Sequence, residues 1–130
     1  MFNPMQAQYS VEHLGLAAPD PAALKDWYEK VFGARVVFSG HEHNFQHSRH
    51  DGVDYFVSGA GSKVRKGAPD KFAAAHTVSW ADYAHFLLVT IDGDTMTVRP
   101  IGELEDGSIR DLPRFTPAGD PISGSIVVRR

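Results

Sequence analysis

The segment from Asp20 to Gly33 constrains the fold most, because it carries both a start signal and a stop signal for a helix. Asp20 is a good N-cap, and Pro21 suits the first helical position. Gly33 is typical of the residue that ends a helix. Between them, apolar residues recur at helical spacing and give one apolar face, namely Leu24, Trp27, Tyr28 and Val31. We therefore predict a helix over residues 21–32.

The remainder of the chain has the patterns of short strands. An apolar run predicts a strand over 34–39, and Asp92-Gly93-Asp94 predicts the turn of a hairpin. We predict a loop over 40–52 and a strand or loop over 62–66. For 67–83 the alanines at 73–75 favour a helix, whereas Gly67 and Pro69 favour an ordered loop. The other predicted strands are 9–17, 53–58, 85–91, 95–101 and a short edge strand at 126–128. The predicted class is α+β, with one helix on a small mixed or antiparallel sheet of five to six strands.

Composition limits the classes of function. A chain of 130 residues predicts a single domain over 1–130. The net charge of -3 and the lack of a basic block argue against nucleic-acid binding. The chain has no cysteine, which excludes disulfides and thiolate metal ligands. No apolar run has the length of a membrane span and no leader pattern is visible, so we predict a cytoplasmic protein with no membrane partner.

The motif Gly40-His41-Glu42-His43 directly follows the predicted strand 34–39. Residues two apart on an extended chain point to the same side, so His41 and His43 can converge on one metal or on two adjacent metals. Glu42 points the other way. The alternative is that both histidines are vestigial loop residues.

Other histidines are candidates to complete such a site. His13 is either a core residue or a third imidazole, and three imidazoles with an open position would make a catalytic zinc site. His47 and His50 are either surface loop residues or catalytic groups that complete the site or bind a substrate phosphate. His76 and His85 are predicted to be structural. The basic residues Lys63, Arg65 and Lys66 form either a solvated face or a phosphate-orienting patch.

Residues 38–47 and 51–61 resemble the C-terminal part of a calcineurin-like metallophosphoesterase close to the purple acid phosphatases. The motif G-H-x-H, the following strand and its Gly-x-Gly turn carry the resemblance, which extends over about 35–130. It implies that His41 binds one metal and His43 its neighbour. The family's upstream D-x-H, G-D-x-x-D and G-N-H motifs do not occur in this sequence.

Residues 9–39 resemble the first βαβ unit of the vicinal oxygen chelate superfamily, which includes glyoxalase I and the extradiol dioxygenases. This resemblance implies that His13 is a metal ligand. The two resemblances predict a possible chimera, with residues 1–39 from one family and 40–130 from the other. The alternative is that residues 1–39 are divergent phosphoesterase sequence.

Together these patterns predict a metal-dependent phosphoesterase that hydrolyses phosphodiesters or activated phosphate esters through a metal-bound hydroxide. The predicted metal is Zn, Mn or Fe, the predicted substrate is a small-molecule phosphoester, and the predicted assembly is a homodimer that completes the sheet. Two alternatives remain. One is a chelate-type lyase, isomerase or dioxygenase centred on His13, and the other is a non-catalytic metal-binding remnant domain.

Overall fold

The computed structural model describes residues 35–129, which form ten strands in two sheets. The strands are β1 (Val36–Ser39), β2 (Phe45–His50), β3 (Val53–Ser58), β4 (Thr77–Ala81), β5 (Ala84–Asp92), β6 (Thr95–Glu103), β7 (Ile109–Asp111), β8 (Arg114–Phe115), β9 (Pro121–Ile122) and β10 (Ile126–Arg129).

The first sheet has six strands in the order β1-β3-β2-β4-β8-β9, and the second has four, in which β6 is flanked by β5 and β10 and also pairs with β7. Within the first sheet, β1 and β3 are parallel, whereas the other pairs are antiparallel. The carboxyl ends of β1 and β3 therefore lie at the same edge of the first sheet. This edge carries the candidate site.

Both sheets contribute to one hydrophobic core. In β6 every second residue is buried, including Met96 and Val98, as expected for a strand with one covered face. Phe45 and Phe56 of the first sheet are fully buried and belong to the same cluster as these β6 side chains. The two sheets therefore stabilise each other through shared apolar contacts.

The predicted fold class was wrong. The residues 35–129 contain no helix, and their ten strands in two sheets replace the predicted single sheet of five to six. Segments predicted as loop or left unassigned are strands, because β2 pairs with β3 on one side and with β4 on the other. The predicted helix over 21–32 and the predicted strand over 9–17 lie outside the described residues.

Several local predictions were confirmed. The strand predicted at 53–58 is β3, and the hairpin around Asp92-Gly93-Asp94 joins β5 to β6. Gly93 has a positive φ of 57°, which glycine adopts without steric cost. The strand predicted at 34–39 is observed over Val36–Ser39, and β10 is an edge strand.

Candidate functional site

The G-H-E-H motif lies in the loop that leaves the carboxyl end of β1, beside the loop that leaves β3. Val36–Ser39 pairs in parallel with Asp54–Val57, so the two strands end side by side at the same edge of the sheet. His41 has a positive φ of 74° and an exposed side chain, and His43 is half-buried. The structure therefore presents His41 at an accessible edge of the first sheet, with His43 partly covered beside it.

Backbone contacts fix this motif loop from two sides. The Gly59 N–H donates to the Asn44 carbonyl at 3.3 Å, and the Arg65 N–H donates to the His43 carbonyl at 2.8 Å. A Cβ atom at Gly59 would lie 2.1 Å from the Glu42 carbonyl oxygen. Only glycine permits this close approach of the two loops.

The basic cluster predicted from sequence lies next to the motif. Arg65 contacts His43 through its backbone, and its Nη1 lies 3.4 Å from Glu42 Oε2. Lys66 is anchored further along, where its Nζ donates to the Asp82 carbonyl at 2.8 Å and lies over the Tyr83 ring. The Arg65–Glu42 pair is exposed and contributes little stability. Its guanidinium is accessible to an anionic ligand.

His47 lies in the core of the first sheet rather than in the motif loop. Its Nε2 is 2.6 Å from Asp54 Oδ1, and its ring stacks on Phe56 at a centroid separation of 4.8 Å. Arg49 Nε donates to the same oxygen of Asp54 at 2.9 Å. Asp54 is thus a buried partner of His47 and Arg49.

His50 lies at the opposite end of β2 from the motif. It pairs with Val53, whereas Phe45 at the other end of the strand pairs with Ser58. Five residues of extended strand separate the two ends by about 17 Å. The His50 ring stacks on His76 at 4.0 Å, and its Nε2 lies 3.1 Å from Asp51 Oδ2. His50 and the motif are therefore separate groups, and the catalytic role predicted for His50 stays a prediction.

The described residues supply part of a metal site. The imidazoles of His41 and His43 are ligands that suit Zn²⁺ or Fe, whereas Mn²⁺ prefers oxygen ligands. No group of three or more His, Asp or Glu side chains within residues 35–129 is arranged to hold a metal ion. A further ligand would therefore come from elsewhere, and the predicted candidate His13 lies outside the described residues. The donor chemistry of the motif fits a metal, but two ligands do not complete its coordination.

Ser58 and His85 form a second polar pair at the carboxyl end of β3, which the sequence did not reveal. Ser58 Oγ lies 3.0 Å from His85 Nε2, and His85 Nδ1 lies 2.9 Å from the Tyr83 carbonyl. A carbonyl only accepts, so Nδ1 carries the ring proton and Nε2 accepts the Ser58 hydroxyl. Burial of the imidazole lowers the pKa of His85, and the hydrogen bond to Tyr83 opposes this shift in part.

The depressed pKa of His85 predicts that stability falls in acid. Between the folded-state pKa and the ordinary value of 6.5, the unfolded chain binds more protons than the folded chain. The contribution of His85 is therefore complete above pH 6.5 and decreases as pH falls below it. Urea titrations from pH 7.5 to pH 5 measure this loss, and His85→Gln should remove part of the slope. An equal slope in both proteins would contradict the assignment.

The two sheets and the G-H-E-H motif loop define the class of protein. It is a β-sheet domain with two histidines, His41 and His43, in a loop at one sheet edge. A sequence model of the Glyoxalase/Bleomycin resistance protein/Dioxygenase superfamily matches residues 10–96. The chain belongs to this superfamily. The match extends past residues 9–39, which carried the resemblance, and across the predicted chimera boundary between residues 39 and 40. It includes His13, His41 and His43. The junction itself and the single-domain organisation stay predictions.

The similarity to solved structures concerns the fold, whereas the superfamily match concerns the sequence. GAP50, the anchor in the inner membrane complex of Plasmodium, is 14% identical, with a TM-score of 0.60 over 80% of this chain and 33% of that chain. Vps29 from Entamoeba histolytica, complexed with Zn²⁺, is 15% identical, with a TM-score of 0.50 over 88% and 50%. The Vps29 structures have the calcineurin-like phosphoesterase fold.

This chain spans between a third and a half of the length of these two structures. No curated protein matches its sequence. Among residues 35–129, no helix has the length and apolar character needed to cross a membrane. The predicted compartment stays a prediction.

Proposed function

We propose that the protein is a metal-dependent phosphoesterase in which His41 and His43 are metal ligands. The observation that carries the proposal is the fixed motif loop at the carboxyl ends of β1 and β3, with Arg65 bonded to it. The likeness to the zinc-complexed Vps29 structure supports it at the level of the fold. His13 is the proposed third ligand.

Each part of this site has a physical role. The contacts to Gly59 and Arg65 hold the backbone of the motif loop in one conformation, so the two histidines start from fixed backbone positions when a ligand binds. The exposed cations of Lys63 and Arg65 orient a phosphoester by attraction to its oxygens. A divalent metal, when bound, lowers the pKa of water and offsets charge on the phosphoryl oxygens. His47 supports the sheet beneath the loop through Asp54.

Hydrolysis of bis(p-nitrophenyl) phosphate by chelator-stripped protein tests the proposal. Turnover is expected to return when Zn²⁺ or Mn²⁺ is titrated back. His41→Ala should reduce it to the rate of metal in buffer, because the ion loses one of its few ligands. His76→Asn is the matched control, since it also removes one exposed imidazole and asparagine tolerates the positive φ of 52° at that position. Turnover that survives in His41→Ala, or equal loss in the control, would contradict the proposal.

Membership of the superfamily favours a second candidate, a chelate-type lyase, isomerase or dioxygenase centred on His13. Metal titration calorimetry on His13→Ala and on His41→Ala separates the two candidate functions. Loss of affinity in His13→Ala with no change in His41→Ala would favour the second candidate. Loss in both supports a shared site, and tight binding without turnover would instead indicate a non-catalytic metal-binding domain.

A further inference from the structure

The hydroxyl–imidazole pair of Ser58 and His85 has the geometry of a nucleophile and its general base. The hydroxyl donates to Nε2 across 3.0 Å, and Nδ1 donates to the Tyr83 carbonyl across 2.9 Å. Serine is activated when its hydroxyl is hydrogen-bonded to a base and a third group orients that base. Here a backbone carbonyl takes the place of the carboxylate that usually orients the base.

The imidazole is held in one position by its surroundings. His85 is only 7% exposed, and its ring lies edge-on to Phe45 at a centroid separation of 5.5 Å. The His85 backbone N–H donates to the Ala60 carbonyl at 3.1 Å, which ties the start of β5 to the end of β3. Ser58 is the last residue of β3 and is half-buried. The pair is therefore preorganised on two strands rather than on mobile loops.

A small cavity adjoins the imidazole. Its volume is about 120 Å³, which equals about four water molecules at roughly 30 Å³ each. His85 forms part of its wall, and the apolar side chains of Phe86, Ile101 and Ile109 form much of the remainder, with Glu103 as the charged residue. This size and mostly apolar lining suit a short aliphatic chain beside His85, although Ser58 itself is not part of the wall.

We propose that Ser58 and His85 form a catalytic pair that hydrolyses esters of short-chain carboxylic acids. Ser58 Oγ forms a bond to the acyl carbon while its proton passes to His85 Nε2, and the ester C–O bond breaks as that proton reaches the leaving alcohol. Water then attacks the acyl-serine with His85 again as the base, releasing the carboxylic acid and restoring the hydroxyl. No metal takes part, so this activity is independent of the function proposed above.

The alternative role of the pair is a structural link between the two sheets, and one variant separates the roles. In His85→Gln the side-chain amide can still donate to the Tyr83 carbonyl and accept from Ser58, but it cannot take up a proton. A structural link would survive this change, whereas a base would not. Ser58→Ala removes the nucleophile itself and leaves a smaller side chain at a half-buried position.

The experiment combines a fluorophosphonate probe with 4-nitrophenyl butyrate, both applied to the full chain in the presence of a chelator. We expect the probe to label Ser58, as located by peptide mass spectrometry, and the ester to give a burst of nitrophenolate. Labelling should vanish in Ser58→Ala, and His85→Gln should slow it by about 100-fold or more, since general bases contribute 10²–10⁴-fold. Ser62→Ala is the matched control, because Ser62 is an exposed serine with no histidine partner among the described residues.

Three results would overturn the proposal. The first is absence of label on Ser58 in the folded wild-type protein. The second is labelling of His85→Gln at the wild-type rate while both proteins unfold at the same urea concentration, because the histidine would then be only a structural link. The third is an equal burst in Ser58→Ala and Ser62→Ala, which would place the reaction elsewhere in the chain.

Discussion

Replacing Gly59 with alanine is expected to destabilise the protein by about 3 kcal/mol, at the upper end of the usual overpacking range. The new Cβ would lie 2.1 Å from the Glu42 carbonyl oxygen and 3.2 Å from the His41 nitrogen. Both contacts are to backbone atoms, so no side-chain rotation relieves them and the motif loop has to move. The same variant should therefore weaken the metal binding that we propose for His41 and His43.

Gly61→Ala is the matched control for this steric effect. A Cβ at Gly61 would meet nothing within 4 Å, and neither glycine has the positive φ that would strain alanine. Gly61→Ala should be neutral or slightly stabilising, because it reduces the freedom of the unfolded chain. Urea unfolding of both variants measures the difference. Equal stabilities would mean that the two loops move apart without cost.

Asp54→Ala is expected to cost about 3 kcal/mol, at the upper end of the penalty for leaving a buried polar group without its hydrogen-bond partner. Asp54 Oδ1 accepts from His47 Nε2 at 2.6 Å and from Arg49 at 2.9 Å, and the Asp54 and His47 side chains are both almost fully buried. Truncation leaves the His47 ring nitrogen buried without its partner, and that desolvation is the main cost. Arg49 is half-exposed, so solvent replaces its lost contact.

Asp54→Asn separates charge from shape, since the amide oxygen still accepts both hydrogen bonds. We expect it to lose less than half as much stability as Asp54→Ala. Chemical denaturation at pH 7.5 measures both values. A loss below about 1 kcal/mol for Asp54→Ala would show that the polar cluster under the motif is worth no more than one ordinary hydrogen bond.

Elements with local signals were predictable. The hairpin of β5 and β6 has a short turn at Asp92-Gly93-Asp94 between two apolar runs, and both signals lie within about twenty residues. Strand β3 was predictable because its aromatic and β-branched residues favour an extended chain. The G-H-E-H motif was visible for the same reason, since its spacing is a property of four consecutive residues.

Strand β2 was not predictable from its own residues. Its sequence is polar apart from Phe45, and His47 occupies a position where an apolar residue would be expected. The inward-facing polar side chain of His47 is tolerated only because Asp54, seven residues further along the chain, forms a hydrogen bond with it from the neighbouring strand. Sheet pairing, rather than local propensity, decides that this segment is a strand, and the loop predicted over 40–52 was wrong over Phe45–His50 for that reason.

The sequence by itself determined the turns, the strongly apolar strands and the two motif histidines, because those signals depend on neighbours along the chain. Only the tertiary structure decided that β1 and β3 run in parallel, that Gly59 contacts the motif loop, and that Ser58 meets His85. These last two residues are 27 positions apart and belong to different sheets. Contacts of that kind depend on how strands pair, which no local pattern specifies.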